Sequence, residues 1–364
     1  MRIAVLGGGN GSLAAAADFA LAGHDVVLWR RNAEDVARHL SLNNIIALRD
    51  GKGRREAVLA EVTDRMGDAL AGAELIFCPV PATAHEALAP VLAPHLRPGQ
   101  VVYMPPGTLG SLIFAGAAQA AGTADGVAFA ESGTLPWLVR KHGFAEIVVS
   151  ARGTRLPTGV FPRSGMDRAL NVIGQAFPGA IEPCGDVLSA ALMNAGPIIH
   201  PPVITMNAGP LEHFDAWDIH NEGTQPSIRR VTDALDAERI AVREALGYRA
   251  PHFPLADHYS DEGEEWMYGR KSHHELKESG DWREKIVLTE HRYMMEDVRL
   301  GLSLLVSIAD LAGVAVPIAA GLLAIGSAVC GEDFARNGRP LSSVGLGGYS
   351  REDIAAFLER GYSA

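Results

Sequence analysis

Residues 2–32 read RIAVLGGGNGSLAAAADFALAGHDVVLWRRN, and three features of this stretch decide the fold. An apolar run, Arg2–Leu6, ends in the loop Gly7-Gly8-Gly9-Asn10-Gly11-Ser12. An alanine-rich helical stretch, Leu13–Leu21, follows, and a second β-branched run, Val26–Trp29, closes the unit. Strand, glycine loop, helix and strand in that order open a parallel βαβ unit. Glycines at the strand-to-helix turn permit a tight bend and let backbone N–H groups approach a pyrophosphate, which then lies on the positive end of the helix. Read as G-x-G-x-x-G, the loop supplies Gly7, Gly9 and, in third place, Ser12, small enough for close helix packing. The motif alone is weak, and its structural setting carries the reading.

The end of the second strand bears on which dinucleotide is bound. NAD enzymes usually place a carboxylate there to hold the ribose 2′-OH. Here the strand runs into Arg30-Arg31-Asn32, and Asp25 stands at its opposite end. Two guanidinium groups suit a 2′-phosphate, which they can hold with bidentate charged bonds, so NADP(H) is the expected cofactor. The competing reading is a solvated basic turn.

Outward from this unit, Leu75–Val80, Val101–Met104, Val127–Ala130 and Ile147–Ser150 read as further strands. Ala84–Leu92, Gly110–Ala121 and Met166–Phe177 read as helices, which together make a doubly wound parallel sheet. After Cys184 helical periodicity takes over, in Val187–Met193, Ser227–Leu246, Tyr293–Leu311 and Ile354–Arg360. The last of these has a start signal, Ser350 with Asp353, resembling a capping box. The expected architecture is α/β plus all-α: a Rossmann domain over 1–184 and a helical substrate domain over 185–364, with a ligand cleft between them.

Composition narrows the function classes. A chain of 364 residues with 48% hydrophobic and 21% charged residues can bury two cores. The formal charge of −11 argues against a nucleic-acid surface. Cys78, Cys184 and Cys330 are widely separated and fit neither a disulfide framework nor a zinc site, and they suit a cytoplasmic protein. The adjacent His273 and His274 point apart on a helix, so no metal is expected. Leu311–Cys330 is twenty residues without a charge. Its Pro317, its glycines and the lack of a basic flank favour buried helices over a membrane span.

Two segments of the helical half carry candidate chemistry: Asn194-Ala195-Gly196-Pro197-Ile198-Ile199-His200-Pro201-Pro202, and Arg292-Tyr293-Met294-Met295-Glu296-Asp297. The first sets a histidine against two prolines, where helix continuation is difficult and a side chain can face a cleft. Acidic residues in the first turn of the second are also ordinary helix-dipole chemistry.

At these residues the chain resembles the octopine/nopaline (opine) dehydrogenase family. The resemblance also takes in Val80-Pro81-Ala82, Pro106-Gly107, Pro226-Ser227 and Asp236-Ala237-Glu238-Arg239-Ile240, in order along nearly the whole chain. It implies reductive condensation of an amino acid's amine with an α-keto acid. It also implies a catalytic dyad of His200 and Asp297, with Arg292, Asn194 and Tyr293 holding substrate. Gly7, Gly9, Asn10, Gly11, Ser12, Arg30, Arg31, Val80, Pro81 and Pro106 are the expected cofactor side. The chain departs from the family in Ser12, in Arg30, and in the charged segment His252–Lys285, which contains Asp261, Glu262, Glu264, Glu265, His273 and His274. A homodimer is compatible with the sequence. Two other functions stay open: a ketopantoate or hydroxyacid reductase using a lysine (Lys271, Lys277 or Lys285), and a non-catalytic NADP(H)-binding sensor.

Overall fold

The computed structural model describes residues 1–260, 262–270, 273–274 and 282–362; Asp261, Lys271 and Lys277 lie outside them. The strands are β1 (Arg2–Leu6), β2 (Asp25–Trp29), β3 (Ile45–Asp50), β4 (Gly53–Val58), β5 (Glu61–Thr63), β6 (Leu75–Phe77) and β7 (Val101–Met104). They continue with β8 (Ala128–Ser132), β9 (Trp137–Gly143), β10 (Glu146–Arg152), β11 (Leu156–Phe161) and β12 (Ile181–Asp186). The main sheet has the order β12-β11-β8-β7-β6-β1-β2-β5 and is parallel except where β11 meets β8. Because β1 lies between β2 and β6, the strand order reverses there, and a crevice opens beyond the carboxyl ends of β1 and β6.

Side chains alternate faces along β1. Ile3 and Val5 pack with Leu13, Phe19 and Trp137 on one face. Ala4 and Leu6 enter a core on the other face that runs on through Leu188 and Ile198 to Leu304 and Leu358. One apolar core therefore joins the sheet to the helical half.

Several expectations are corrected. β6 stops at Phe77 rather than Val80, since Pro79 and Pro81 have no N–H to give a ladder. Ile147–Ser150 does form a strand, within β10, but outside the main sheet. It belongs to a second sheet, β4-β3-β10-β9, that lies over helix Asn10–Leu21. Asp18 of that helix accepts from Trp137 Nε1 at 2.8 Å and pairs with Arg152 at 2.7 Å. The edges of this sheet are exposed at Arg54, Glu56, Lys141 and His142, which blurs the apolar pattern that marks a strand.

β12 runs past Cys184 to Asp186, whose carboxylate accepts from Ser189 N at 2.9 Å and starts helix Val187–Ala191. Helices Gly196–Met206, Pro226–Ala245, Ser303–Ala312, Pro317–Cys330 and Arg351–Arg360 follow, with a two-residue ribbon between Trp217–Asp218 and Arg283–Glu284. Helix Gly196–Met206 passes through Pro201 and Pro202, against expectation; only the carbonyls of Pro197 and Ile198 lose their helical donors. The apolar run Leu311–Cys330 is divided by Gly313, at φ +70°, and its second helix is half-buried, with Ile325 and Val329 exposed. The capping box at Ser350 and Asp353 forms with both reciprocal bonds.

Candidate active site

Tyr293–Leu302 forms a π-helix, the wider coil that recurs at functional sites. It packs against helix Gly196–Met206, so the two candidate segments face each other. Gly196 is needed for this approach, because a Cβ there would lie 2.3 Å from Asp297 Oδ1. His200 Nδ1 meets Asp297 Oδ2 at 2.7 Å, and the His200 ring stacks on Tyr293 with centroids 3.6 Å apart. The Tyr293 hydroxyl is in turn bonded to His220 Nε2 at 2.8 Å.

Burial governs the protonation of this cluster. It holds His200 well below the ordinary imidazole value, with the positive charge of Arg292 acting in the same sense. It also pushes Asp297 up to about 7, against the pull of Arg292. A dry site disfavours charge on either partner, so the pair shares one proton through its short bond. The remaining ring nitrogen, Nε2, is free to exchange a proton with a ligand.

His200, Asp297, Arg292, Asn194 and Tyr293 line one cavity of about 190 Å3, which Asn10 and Pro106 enter from the sheet side. Its aromatic wall includes Trp266, Tyr268 and Trp282. The described charged side chains on the wall are matched: Arg292 with Glu296 at 3.2 Å, Arg140 with Glu284 at 3.0 Å, and Asp297 with His200. Arg292 remains more than half exposed and can take up a further anion. Asn194 does two jobs, accepting from Gly196 N at 3.0 Å and donating to Thr108 Oγ1 at 3.0 Å.

Gly7, Arg30, Arg31, Val80 and Pro81 line a second cavity of about 470 Å3, on the other side of the glycine loop. Arg30 folds back across that loop: a Cβ on Gly8 would lie 0.7 Å from its Nη1. The Arg30 guanidinium pairs with Asp35, while Nη1 is buried with no partner. Gly9 and Gly11 line neither cavity. The space beside Gly9 is open, and a Cβ on Gly11 would lie 2.8 Å from Leu135. Ser12 turns inward, its hydroxyl donating to Leu6 O at 2.9 Å, so it supports the turn from beneath.

Sequence reading missed the groups that shape the loops around the cleft. Glu296 accepts from Ala82 N at 2.7 Å. Arg339, 1% exposed, donates to Ala82 O at 2.7 Å, to Thr108 O at 3.1 Å and to Glu86 at 2.8 Å. Glu131, fully buried, accepts from Leu109 N and Ser111 N at 3.0 and 2.8 Å, steadying Thr108 and Leu109 at positive φ. Glu296 stands within the Arg292–Asp297 segment, although its bond to Ala82 leaves no mark there; Glu131 and Arg339 lie in no local motif. Of the lysines available to a ketopantoate-type mechanism, Lys285 donates to Phe214 O at 2.9 Å and does not line the cavity.

Comparison with known proteins agrees with the fold. Residues 183–330 match the family described as NAD/NADP octopine/nopaline dehydrogenase, alpha-helical domain. The chain is 28% identical to an opine dehydrogenase of Arthrobacter sp. (strain 1C), over 98% of each protein. In fold it is similar to octopine dehydrogenase in complex with NADH and agmatine, with a TM-score of 0.74, 17% identity and coverage of 100% and 99% of the two chains. It is also similar to yersinopine dehydrogenase with NADP+ bound, with a TM-score of 0.67, 16% identity and coverage of 99% and 97%. Residues 183–330 thus carry the alpha-helical domain of the octopine/nopaline dehydrogenase family, and the chain as a whole is similar to an opine dehydrogenase from end to end.

Proposed function

We propose that the protein is an NADP(H)-dependent opine dehydrogenase that joins the amine of an amino acid to an α-keto acid and reduces the resulting imine to a secondary amine. The observation that carries this reading is the His200–Asp297 pair at 2.7 Å, in a cavity that also receives Arg292 from the helical half and Asn10 and Pro106 from the sheet half. Relatives named for opine formation and a like fold with NADP+ bound support it.

The cofactor side fits a phosphorylated dinucleotide. Gly7 and Gly8 present backbone without side chains, helix Asn10–Leu21 points its amino end at the loop, and Arg30 Nη1 is a buried donor without a partner. When bound, the nicotinamide supplies the hydride. Arg292 holds a substrate carboxylate. His200 takes a proton from the amino group so that its lone pair can attack the keto carbon, and returns a proton to the oxygen that leaves as water. Asp297 fixes the imidazole ring and offsets its charge while it carries the second proton. The aromatic walls keep bulk water from the imine.

NADPH absorbance with pyruvate, glyoxylate or 2-oxoglutarate, each with and without a panel of amino acids, tests the reading. Turnover that requires both substrates is expected. Turnover on the keto acid alone would make the enzyme a hydroxyacid-type reductase instead, and NADPH binding without turnover would make it a sensor.

A further inference from the structure

The cationic groups near the glycine loop come from more than the β2 corner. The β9–β10 hairpin, outside the main sheet, carries Lys141 and turns at Phe144. Lys141 Nζ reaches Gly8 O at 3.4 Å. Around the Phe144 ring stand three cations: Arg38 at 4.0 Å, Lys141 at 5.7 Å and Arg30 at 6.0 Å from the centroid. Arg31 lies on the adjoining cavity wall. Against these, Asp35 is the one described carboxylate in the cavity wall, and it is taken by Arg30. No described carboxylate lies within ion-pair distance of Arg31, Arg38 or Lys141. Arg30, nine-tenths buried, keeps Nη1 without a partner.

Positive charges gathered this closely repel one another, and the arrangement costs stability unless an anion occupies it. The local field shows in His39, buried beneath the cluster against Phe144. Burial lowers its pKa to about 4, and the charges of Arg30, Lys141 and Arg38 push in the same direction, against the pull of Asp35. The loop that forms the cluster's floor is the glycine loop itself, so the anion belongs to a ligand lying on that loop.

We propose that Lys141 and Arg38 join Arg30 in a clamp for a phosphate dianion on the adenosine ribose of the cofactor, with the β9–β10 hairpin as its outer jaw. The proposal rests on the NADP(H) reading and adds two specificity residues to it, one of them from a different sheet. A Lys at 141 contributes a mobile point charge, whereas Arg30 is fixed by Asp35. The phosphate is therefore gripped by one rigid and two adjustable cations.

Kd values for NADPH, NADH and 2′,5′-ADP on wild type, Lys141→Ala, Lys141→Arg and Arg38→Ala, read by calorimetry at two salt concentrations, test the clamp without any turnover. Lys141→Ala and Arg38→Ala should each weaken NADPH and 2′,5′-ADP by about three- to tenfold and leave NADH within about twofold. Lys141→Arg should restore most of the loss. Both side chains are exposed and removing either relieves repulsion in the free protein, so thermal unfolding at the same or a slightly higher temperature is expected. If NADPH and NADH weaken together, Lys141 serves the loop or the pyrophosphate and the clamp is wrong. If wild type prefers NADPH but neither variant changes Kd, the clamp fails and the cofactor reading stands. If wild type prefers NADH, both fail.

Discussion

The two cavities handle charge in opposite ways. On the substrate side the described charged groups are matched, Arg292 to Glu296, Arg140 to Glu284 and Asp297 to His200, and the rest of the wall is largely aromatic. On the cofactor side Arg30, Arg31, Arg38 and Lys141 face one described carboxylate, Asp35. A balanced, dry site keeps acid and base near neutrality, which suits moving one proton. An unbalanced, half-open site attracts and retains a fixed charge, which suits recognition. In the proposed function, chemistry and recognition are separated by the thickness of one glycine loop.

The largest expected effect breaks the balanced side. Replacing His200 or Asp297 by Asn should lower turnover by about 10²-fold or more, the usual loss for a general acid–base, while the NADPH Kd stays near wild type. The double variant should be hardly worse than the worse single one, as groups acting as a unit are not additive. Fully additive losses in steady-state kinetics would separate the two residues and dissolve the pair.

A smaller change inverts the unbalanced side. Arg30→Ala should weaken NADPH by about 10- to 100-fold through loss of a charged hydrogen bond, with NADH unaffected. Arg30→Asp should reverse the preference, since it repels the phosphate and offers the 2′-OH an acceptor. An unchanged NADPH-to-NADH ratio of Kd values in Arg30→Asp would mean that Arg30 does not read the phosphate.

The last expectation concerns pH and stability rather than ligands. His39 and His85 are held neutral in the fold, lowered to about 4 and about 3 by burial first and by neighbouring arginines. Each is neutral when folded and takes a proton when unfolded below its ordinary value near 6.5. Stability from these groups is therefore fully present above that pH and is lost as pH falls toward 4, at about 1.4 kcal/mol per pH unit for each proton. His39→Phe, which keeps the contact with Phe144, should flatten the slope between pH 6 and 4 in urea titrations. An unaltered slope would mean that His39 is solvated and that the cationic field around it is weaker than the geometry implies.

What was legible in the sequence is what short-range pattern encodes. β1, β2 and β7 show as apolar runs because both faces are covered, and the glycine loop shows because a strand-to-helix turn needs it. Arg30 follows from its place at the end of β2. His200 and Asp297 were named by family resemblance, and their distance of 2.7 Å needed the packing of two segments 97 residues apart. Lys141, Glu131 and Arg339 left no trace in the local pattern. Each acts on a loop outside its own segment, Glu131 on Leu109 at a separation of 22 residues and Arg339 on Ala82 at 257. The β3–β4 and β9–β10 hairpins were obscured for a different reason, since exposed polar residues interrupt their alternation.

Arg339 has one more consequence, for how the active site can change. The backbone turns after β6 and β7 take part of their shape from a guanidinium supplied near the other end of the chain, through the carbonyls of Ala82 and Thr108. Grafting those turns from a relative would transplant the loop without its template, and the new sequence would have to accept the old anchor. Variation at the cleft is thus channelled toward side chains that do not touch the anchor, such as Trp266 and Trp282 on the cavity wall, and away from the loops on which such sites are ordinarily remodelled.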